Sequence, residues 1–284
     1  EPAQRRVVSN SAEYFAGGIY AENSLITTTA LELRDNTAGL RTTPAPPNNG
    51  NGGGIAAYAS SISVSQLLLA GNQAERNGGG IWLDDGSSLS GDLPLSCPMG
   101  EPCHDLRQNI AGEAGGMAWL GSDSSLSLHR AAMEANEADT GAAIFAQGTA
   151  PSTIQVSILN SVLHANTATS ALIAVGNSQL TIALSTLVDN DTGSSMVLDF
   201  GGNTHDWRAS LMYGAPGSVL LSAPFGTTLS TDCLIGHENA SVLAFGGDVF
   251  VDDDPGFVNR AQGDLRLRAD AGAAIEVDHV MIEH

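Results

Sequence analysis

The chain has 284 residues, of which 33 are glycine, 5% aromatic and 15% charged, a lean profile that excludes a disordered segment and leaves room for a sizeable core. Its 11 basic residues, all arginine, stand against 31 Asp plus Glu, and a formal charge of −20 repels nucleic acid and anionic membranes while tolerating cations, Ca²⁺ included. No apolar run is long enough to predict a membrane-spanning helix.

The first residues, Glu1-Pro2-Ala3-Gln4-Arg5-Arg6, lack the apolar core of a signal peptide, so a processed chain or a segment of a larger protein is expected. The first glycine turn is Gly17-Gly18 before Ile19, and the phrase returns as Gly52-Gly53-Gly54-Ile55 and Gly78-Gly79-Gly80-Ile81. Aligned on such turns, Ile19, Ile55, Ile81, Met117, Ile144 and Ile173 recur at intervals of 26 to 36 residues, which points to a repeat architecture. A second phrase, Leu/Met-x-x-Asn, follows each anchor and ends on Asn36, Asn72, Asn109, Asn136, Asn166 and Asn190. Ala38, Ala74, Ala138 and Ala168 lie two residues beyond four of these, so the corner demands a small side chain. Between anchor and Asn, the pairs Ile62/Val64, Leu126/Leu128, Ile154/Val156 and Leu180/Ile182 alternate at period two and predict another strand per repeat.

Such columns form when strands stack about 4.8 Å apart and like residues lie directly over like. Inward Ile makes a dry core, and Asn at a bend makes an amide ladder. The expected fold is therefore all-β: one right-handed parallel β-helix, or solenoid, of about ten coils, with the six anchors stacked inside. Regular coils are expected over 10–192, with loop insertions at 41–50 and 90–105 as carriers of specificity. Residues 193–284 read as degenerate coils and a C-terminal cap, so the single domain spans 1–284.

Cys97 and Cys103 sit in a Pro- and Gly-punctuated loop that suits a small disulfide in an oxidising compartment; a zinc pair with the adjacent His104 is the alternative. Cys233 is left over, expected as a small buried apolar residue.

The Gly-Gly-x-Ile turn with Leu-x-x-Asn resembles the repeats of bacterial right-handed β-helix surface proteins, the polymorphic outer membrane protein family in particular. That family pairs Gly-Gly-Ala-Ile with Phe-x-x-Asn, and this chain has Leu or Met in place of Phe. The ending Asp254-Pro255-Gly256-Phe257-Val258, then Gly263-Asp264-Leu265-Arg266-Leu267 and Ala274-Ile275, is similar to the last coils of secreted pectate-lyase-like β-helix proteins. The resemblance implies export to the cell surface or the medium of a bacterium, and adhesion or polysaccharide contact; it is specific for fold and weak for function.

If each anchor points inward, the next residue points outward, giving a column of Tyr20, Ala56, Trp82, Ala118, Phe145 and Ala174, in which aromatics alternate with alanine. The next outward column reads Glu22, Tyr58, Asp84, Leu120, Gln147 and Gly176. Tyr20, Tyr58, Trp82 and Phe145 are the candidate ligand-binding residues of a carbohydrate track; scattered surface aromatics, or a face for a loop or second subunit, are the alternatives. Glu22 and Asp84 would flank Tyr58 about 9.6 Å apart, near the separation of an inverting glycosidase pair. Asp85 is expected on the face opposite Asp84. Lyase chemistry in this fold needs a base beside Ca²⁺-binding carboxylates, and with no lysine only arginines such as Arg130 or Arg208 remain.

Asn203-Thr204-His205-Asp206-Trp207 and Gly236-His237-Glu238-Asn239 read as turns, with metal binding or proton transfer at His205 beside Asp206 as the alternative. Asp252, Asp253 and Asp254 are candidate Ca²⁺ ligands, with a solvated acidic turn as the alternative. No cofactor is expected beyond Ca²⁺. The sequence thus favours an extracellular binding or adhesion module that contacts polysaccharide or a cell-surface component, over a polysaccharide-cleaving enzyme on the same scaffold or a structural spacer.

Overall fold

A computed structural model describes residues 5–39, 50–91, 97, 102–149, 153–214, 219–223, 227–236, 247–251, 257–259 and 264–267. The described residues form strands, turns and bends with no helix, and therefore no helix long and apolar enough to cross a membrane. The strands stack as a parallel β-solenoid of about seven turns, rather than the ten expected. Among the described residues of 193–284, the parallel stack extends to the strands Thr228–Gly236 and Gly247–Val251.

Each coil opens on one face, an eight-stranded sheet of Ile19–Glu22, Ile55–Tyr58, Ile81–Asp84, Ala118–Leu120, Ile144–Gln147, Ala171–Gly176, Ser195–Asp199 and Val219–Ser222. We call it the anchor face. The chain then turns into a 15-stranded sheet that forms the other long walls, and closes through a six-stranded sheet of two-residue strands such as Gln73–Ala74 and Ile110–Ala111. The first two coils cross the long sheet in single strands, Leu25–Arg34 and Ser61–Ala70. In the fourth to seventh coils that strand is broken in two by a residue in the left-handed region: Arg130, Asn160, Leu184 and Ala209, with φ between 44° and 56°. Because alternation restarts after each break, both segments present apolar side chains inward.

The register is parallel throughout the stack, and it makes the core. Ile19, Ile55, Ile81, Ala118, Ile144, Ile173, Val197 and Leu221 form one inward column. Met117, expected there, lies one residue early. The position that recurs is the first glycine of the turn: Gly52, Gly78, Gly115 and Gly141 all hold φ between 66° and 72°, and the anchor follows each by three residues. A Cβ at any of the four would come within 2.5 Å of the anchor's own carbonyl oxygen, so glycine is required there. Counting from Gly115 gives Ala118; Met117 is still fully buried, one position before the anchor. On the next wall Ile154 and Val156 do alternate inward on one strand, with Val156 and Ile158 in register with Leu126 and Leu128.

The asparagine corner forms as expected and is longer. Nδ2 of Asn10 donates to Oδ1 of Asn36 at 3.0 Å, and the pattern continues through Asn72, Asn109, Asn136, Asn166 and Asn190 at 2.8 to 3.0 Å. Each Oδ1 also accepts the backbone N–H of the preceding Asn, and Nδ2 also donates to a carbonyl, as from Asn109 to Leu69 O at 3.0 Å. The six later members are at most 2% exposed. Asn10 escaped notice because Val7 replaces Leu in its phrase, although Val7 and Leu33 are in register.

Cys97 and Cys103 form a disulfide with Cα atoms 5.6 Å apart. That excludes them as a zinc pair, and His104 is instead buried, its ring lying where a Cβ on Gly91 would sit. Cys233 falls on the strand Thr228–Gly236. Thiol titration of the denatured, unreduced protein is expected to find one reactive group; three would contradict the disulfide.

Candidate functional site

The anchor face carries a groove of about 570 Å³ across the first four coils, lined by Phe15, Tyr20, Glu22, Asn51, Tyr58, Arg76, Asn77, Trp82, Asp84 and Trp119. Strand parity places its floor. With Ile19, Ile55, Ile81 and Ala118 inward, the outward row is Tyr20, Ala56, Trp82 and Trp119, continued in register by Phe145 and Ala174. The expected outward residues Ala118 and Leu120 are both buried in the core, and Trp119 between them faces out.

The alternation of aromatics with alanine is not what forms. Phe15, from the turn before the first anchor strand, fills the space over Ala56, so that Tyr20, Phe15, Trp82 and Trp119 make an unbroken row with ring centroids 6.1, 5.6 and 5.6 Å apart. The two indoles are stacked, their planes 10° apart. Phe200 adds a ring 6.0 Å from Phe145, over Gly176, where a Cβ would touch it at 3.3 Å. Packing divides the labour within the row. Trp82, sandwiched between Phe15 and Trp119, is only 8% exposed, whereas Tyr20 is 51% and Tyr58 39% exposed. The accessible surfaces are therefore Tyr20, Tyr58 and half-buried Trp119, with Trp82 as their support.

Glu22, Tyr58 and Asp84 are in direct register, so the two carboxylates lie two strand spacings apart, about 9.6 Å along the stack. Tyr20 Oη donates to Glu22 Oε2 at 3.3 Å. Asp85, expected on the opposite face, instead turns back toward the groove: the strand ends at Asp84, and Asp85 has φ 52°. Its backbone N–H donates to Asp84 Oδ1 at 2.9 Å, and its carboxylate accepts from the Tyr58 phenol. That bond, with the charges of Asp85, Asp84 and Glu22, raises the Tyr58 pKa; burial and then Glu22 raise that of Tyr20.

Asp84 is seated over Gly121, where a Cβ would lie 2.1 Å from its Oδ1 and 2.9 Å from the Trp119 ring. Backbone N–H groups of Asp85 and Ser122 donate to it, yet burial outweighs them and lifts its pKa above the usual carboxylate value. Arg76, the one cation lining the groove among the described residues, is engaged elsewhere: Nε and Nη2 donate to the two carboxylate oxygens of Glu113 at 2.8 and 2.9 Å.

The remaining candidates separate from this groove. His205 and Asp206 point to opposite faces of their strand, because neighbours in a strand alternate. Asp206 pairs with Arg208 at 2.6 Å on the surface. His205 replaces an apolar residue in the inward column of Leu126, Val156 and Leu180 and lies fully buried. There its Nε2 donates to Asp199 Oδ2 at 2.9 Å, and Asp199 itself falls in the inward column of Val175. The pair thus lies on the inward side of two walls, away from the groove. Asp252, Asp253, Asp254, His237 and Glu238 lie outside the described residues, and among the described residues no three His, Cys, Asp or Glu side chains cluster as metal ligands.

Sequence reasoning missed Phe15, Trp119, Arg76, Asn51 and Asn77 as groove residues. Trp119 was recoverable from the Gly-plus-three rule. Phe15 does sit in a repeat column, bridged to Asn51 four residues before the anchor, but the equivalent residues Asn51, Asn77, Ala114 and Thr140 are not aromatic, so no recurring letter marks it. Comparison with protein-family models, with curated proteins and with solved structures finds no match.

Proposed function

We propose that this chain is an extracellular or cell-surface binding module that holds a saccharide chain in the groove of its anchor face. The observation that carries this reading is the unbroken row Tyr20, Phe15, Trp82 and Trp119, running along the stacking axis and bordered by carboxylates. Sugar rings offer apolar C–H faces to aromatic rings and hydroxyls to carboxylates, and a row with one ring about every strand spacing suits a linear chain better than a compact ligand. The Cys97–Cys103 disulfide supports an oxidising compartment.

A second reading, a glycoside hydrolase, draws on Asp84: burial raises its pKa, as a general acid requires, and Glu22 is about 9.6 Å away in the stack. Binding without turnover is preferred because neither carboxylate has an orienting histidine or basic partner in the groove.

A glycan array run beside a reducing-end and unsaturated-product assay, with and without Ca²⁺, tests both. Binding without product release is expected. Tyr20→Ala and Tyr58→Ala should each weaken binding about tenfold, the usual loss for an aromatic contact at an interface. Turnover abolished by Asp84→Asn would establish the hydrolase instead.

A further inference from the structure

We propose that the saccharide held in this groove is a cationic one, a chain of hexosamine units carrying free amines, with its ammonium groups received by Glu22 and Asp84. The inference rests on the binding reading above and adds the charge of the ligand. Three carboxylates, those of Glu22, Asp84 and Asp85, border the aromatic row. Among the described residues no cation in the groove offsets them, because Arg76 is held by both oxygens of Glu113 and lies in the further field of Glu75. The whole chain carries a formal charge of −20, so a polyuronate would meet repulsion both at a distance and on contact.

The placement of the carboxylates favours amines over a bound metal ion. Glu22 and Asp84 are two strands apart, about 9.6 Å, too far to share one ion. The same interval separates Tyr20 from Trp82 in the adjoining column, and it is close to the spacing of alternate units in an extended chain of flipped sugars, whose substituents return to one side every second unit. One ammonium would then meet each carboxylate while the sugar rings lie along Tyr20, Tyr58 and, one coil beyond Asp84, Trp119. The acceptors are held in place: Tyr20 Oη binds Glu22, backbone N–H groups of Asp85 and Ser122 bind Asp84, and Gly121 leaves the latter room. An ammonium beside the rings also gains a cation–π contact.

Tryptophan fluorescence titrations with a fully deacetylated glucosamine oligomer, its N-acetylated counterpart and an oligogalacturonate distinguish the outcomes. At slightly acidic pH and low salt the deacetylated oligomer is expected to bind about tenfold tighter than the acetylated one, with salt eroding the difference, and the galacturonate not at all. Glu22→Gln and Asp84→Asn should remove most of that preference, whereas Asp206→Asn, a charge loss on another face, should leave it intact. Equal affinity for the acetylated and deacetylated oligomers would overturn the cationic ligand and leave the saccharide groove standing. So would tight galacturonate binding, or binding only of other sugars on the array. Failure of every saccharide to bind would overturn both.

Discussion

Asn109→Leu is expected to lower stability by about 3–5 kcal/mol, because it removes four hydrogen bonds from a position with no access to water. Asn109 Oδ1 accepts from the backbone and the side chain of Asn72; Nδ2 donates to Leu69 O and to Asn136 Oδ1. Leucine branches at Cγ as asparagine does and is the larger side chain, so no cavity opens and the loss would come from stranded polar groups and crowding. Asn109→Asp should be as harmful at neutral pH for a different reason: the carboxylate keeps the acceptor but turns a second oxygen toward Asn136 Oδ1 and Leu69 O. Both variants should melt roughly 10 °C lower in calorimetry. Because each coil touches only its neighbours, the break should also split the unfolding transition, with coils on either side of the third melting separately. A melting temperature within about 2 °C of the parent for both variants would show that the ladder is not a stabilising element.

The second large effect is expected at the seventh coil. Asp199 is enclosed, yet its pKa lies below the ordinary value. Burial works against the charged form, but donors from His205 Nε2, Thr227 Oγ1 at 2.7 Å, the Gly201 backbone N–H and Asn203 Nδ2 outweigh it. Asp199→Ala leaves these four donors without their acceptor and should cost about 3–5 kcal/mol near pH 7, as loss of one partner of a buried polar pair does. The pH dependence has a definite sign. A carboxylate with a depressed folded pKa contributes stability that is fully present above its unfolded pKa, near 3.8, and is lost as pH falls through the folded value. Chemical denaturation should therefore show a constant gap between parent and Asp199→Ala from about pH 7 to 5, narrowing below about pH 4. A gap that stays constant down to pH 2 would contradict an ionised Asp199.

The fold was legible because stacking converts physical demands into repeated letters. Glycine where a Cβ would strike the anchor carbonyl, Asn where an amide must bond both ways, and Leu or Met beneath it recur because every coil solves the same problem. Register was harder. Gly115-Gly116-Met117 offered a false anchor, since two glycines look alike in sequence while only the first has positive φ. That one-residue slip hid Trp119, just as period-two alternation, applied one residue past a strand end, misplaced Asp85. His205 and Asp199 were illegible because each breaks an apolar column alone and is tolerated only through the other, a contact between walls that no spacing records. The binding groove was half legible: its register residues Tyr20, Tyr58, Trp82, Glu22 and Asp84 could be placed, but Phe15 occupies a repeat position that the other coils fill with Asn51, Asn77, Ala114 and Thr140, so nothing in the spacing flags it as aromatic.

The central claim, that the aromatic row on the anchor face is a saccharide-binding surface, is tested most directly by following the indole N–H resonances of the chain's 3 tryptophans during titration with glucosamine oligomers of increasing length. Trp119 lies on the groove, Trp82 beneath it, and Trp207 inside the core among Leu128, Ile158 and Ile182 of the aligned coils. The account predicts that the Trp119 signal moves most, Trp82 follows through the stacked pair, Trp207 stays fixed, and the shifts saturate at lower concentration as the oligomer lengthens. Shifts confined to Trp207, or no movement of Trp119 with any oligomer, would contradict it.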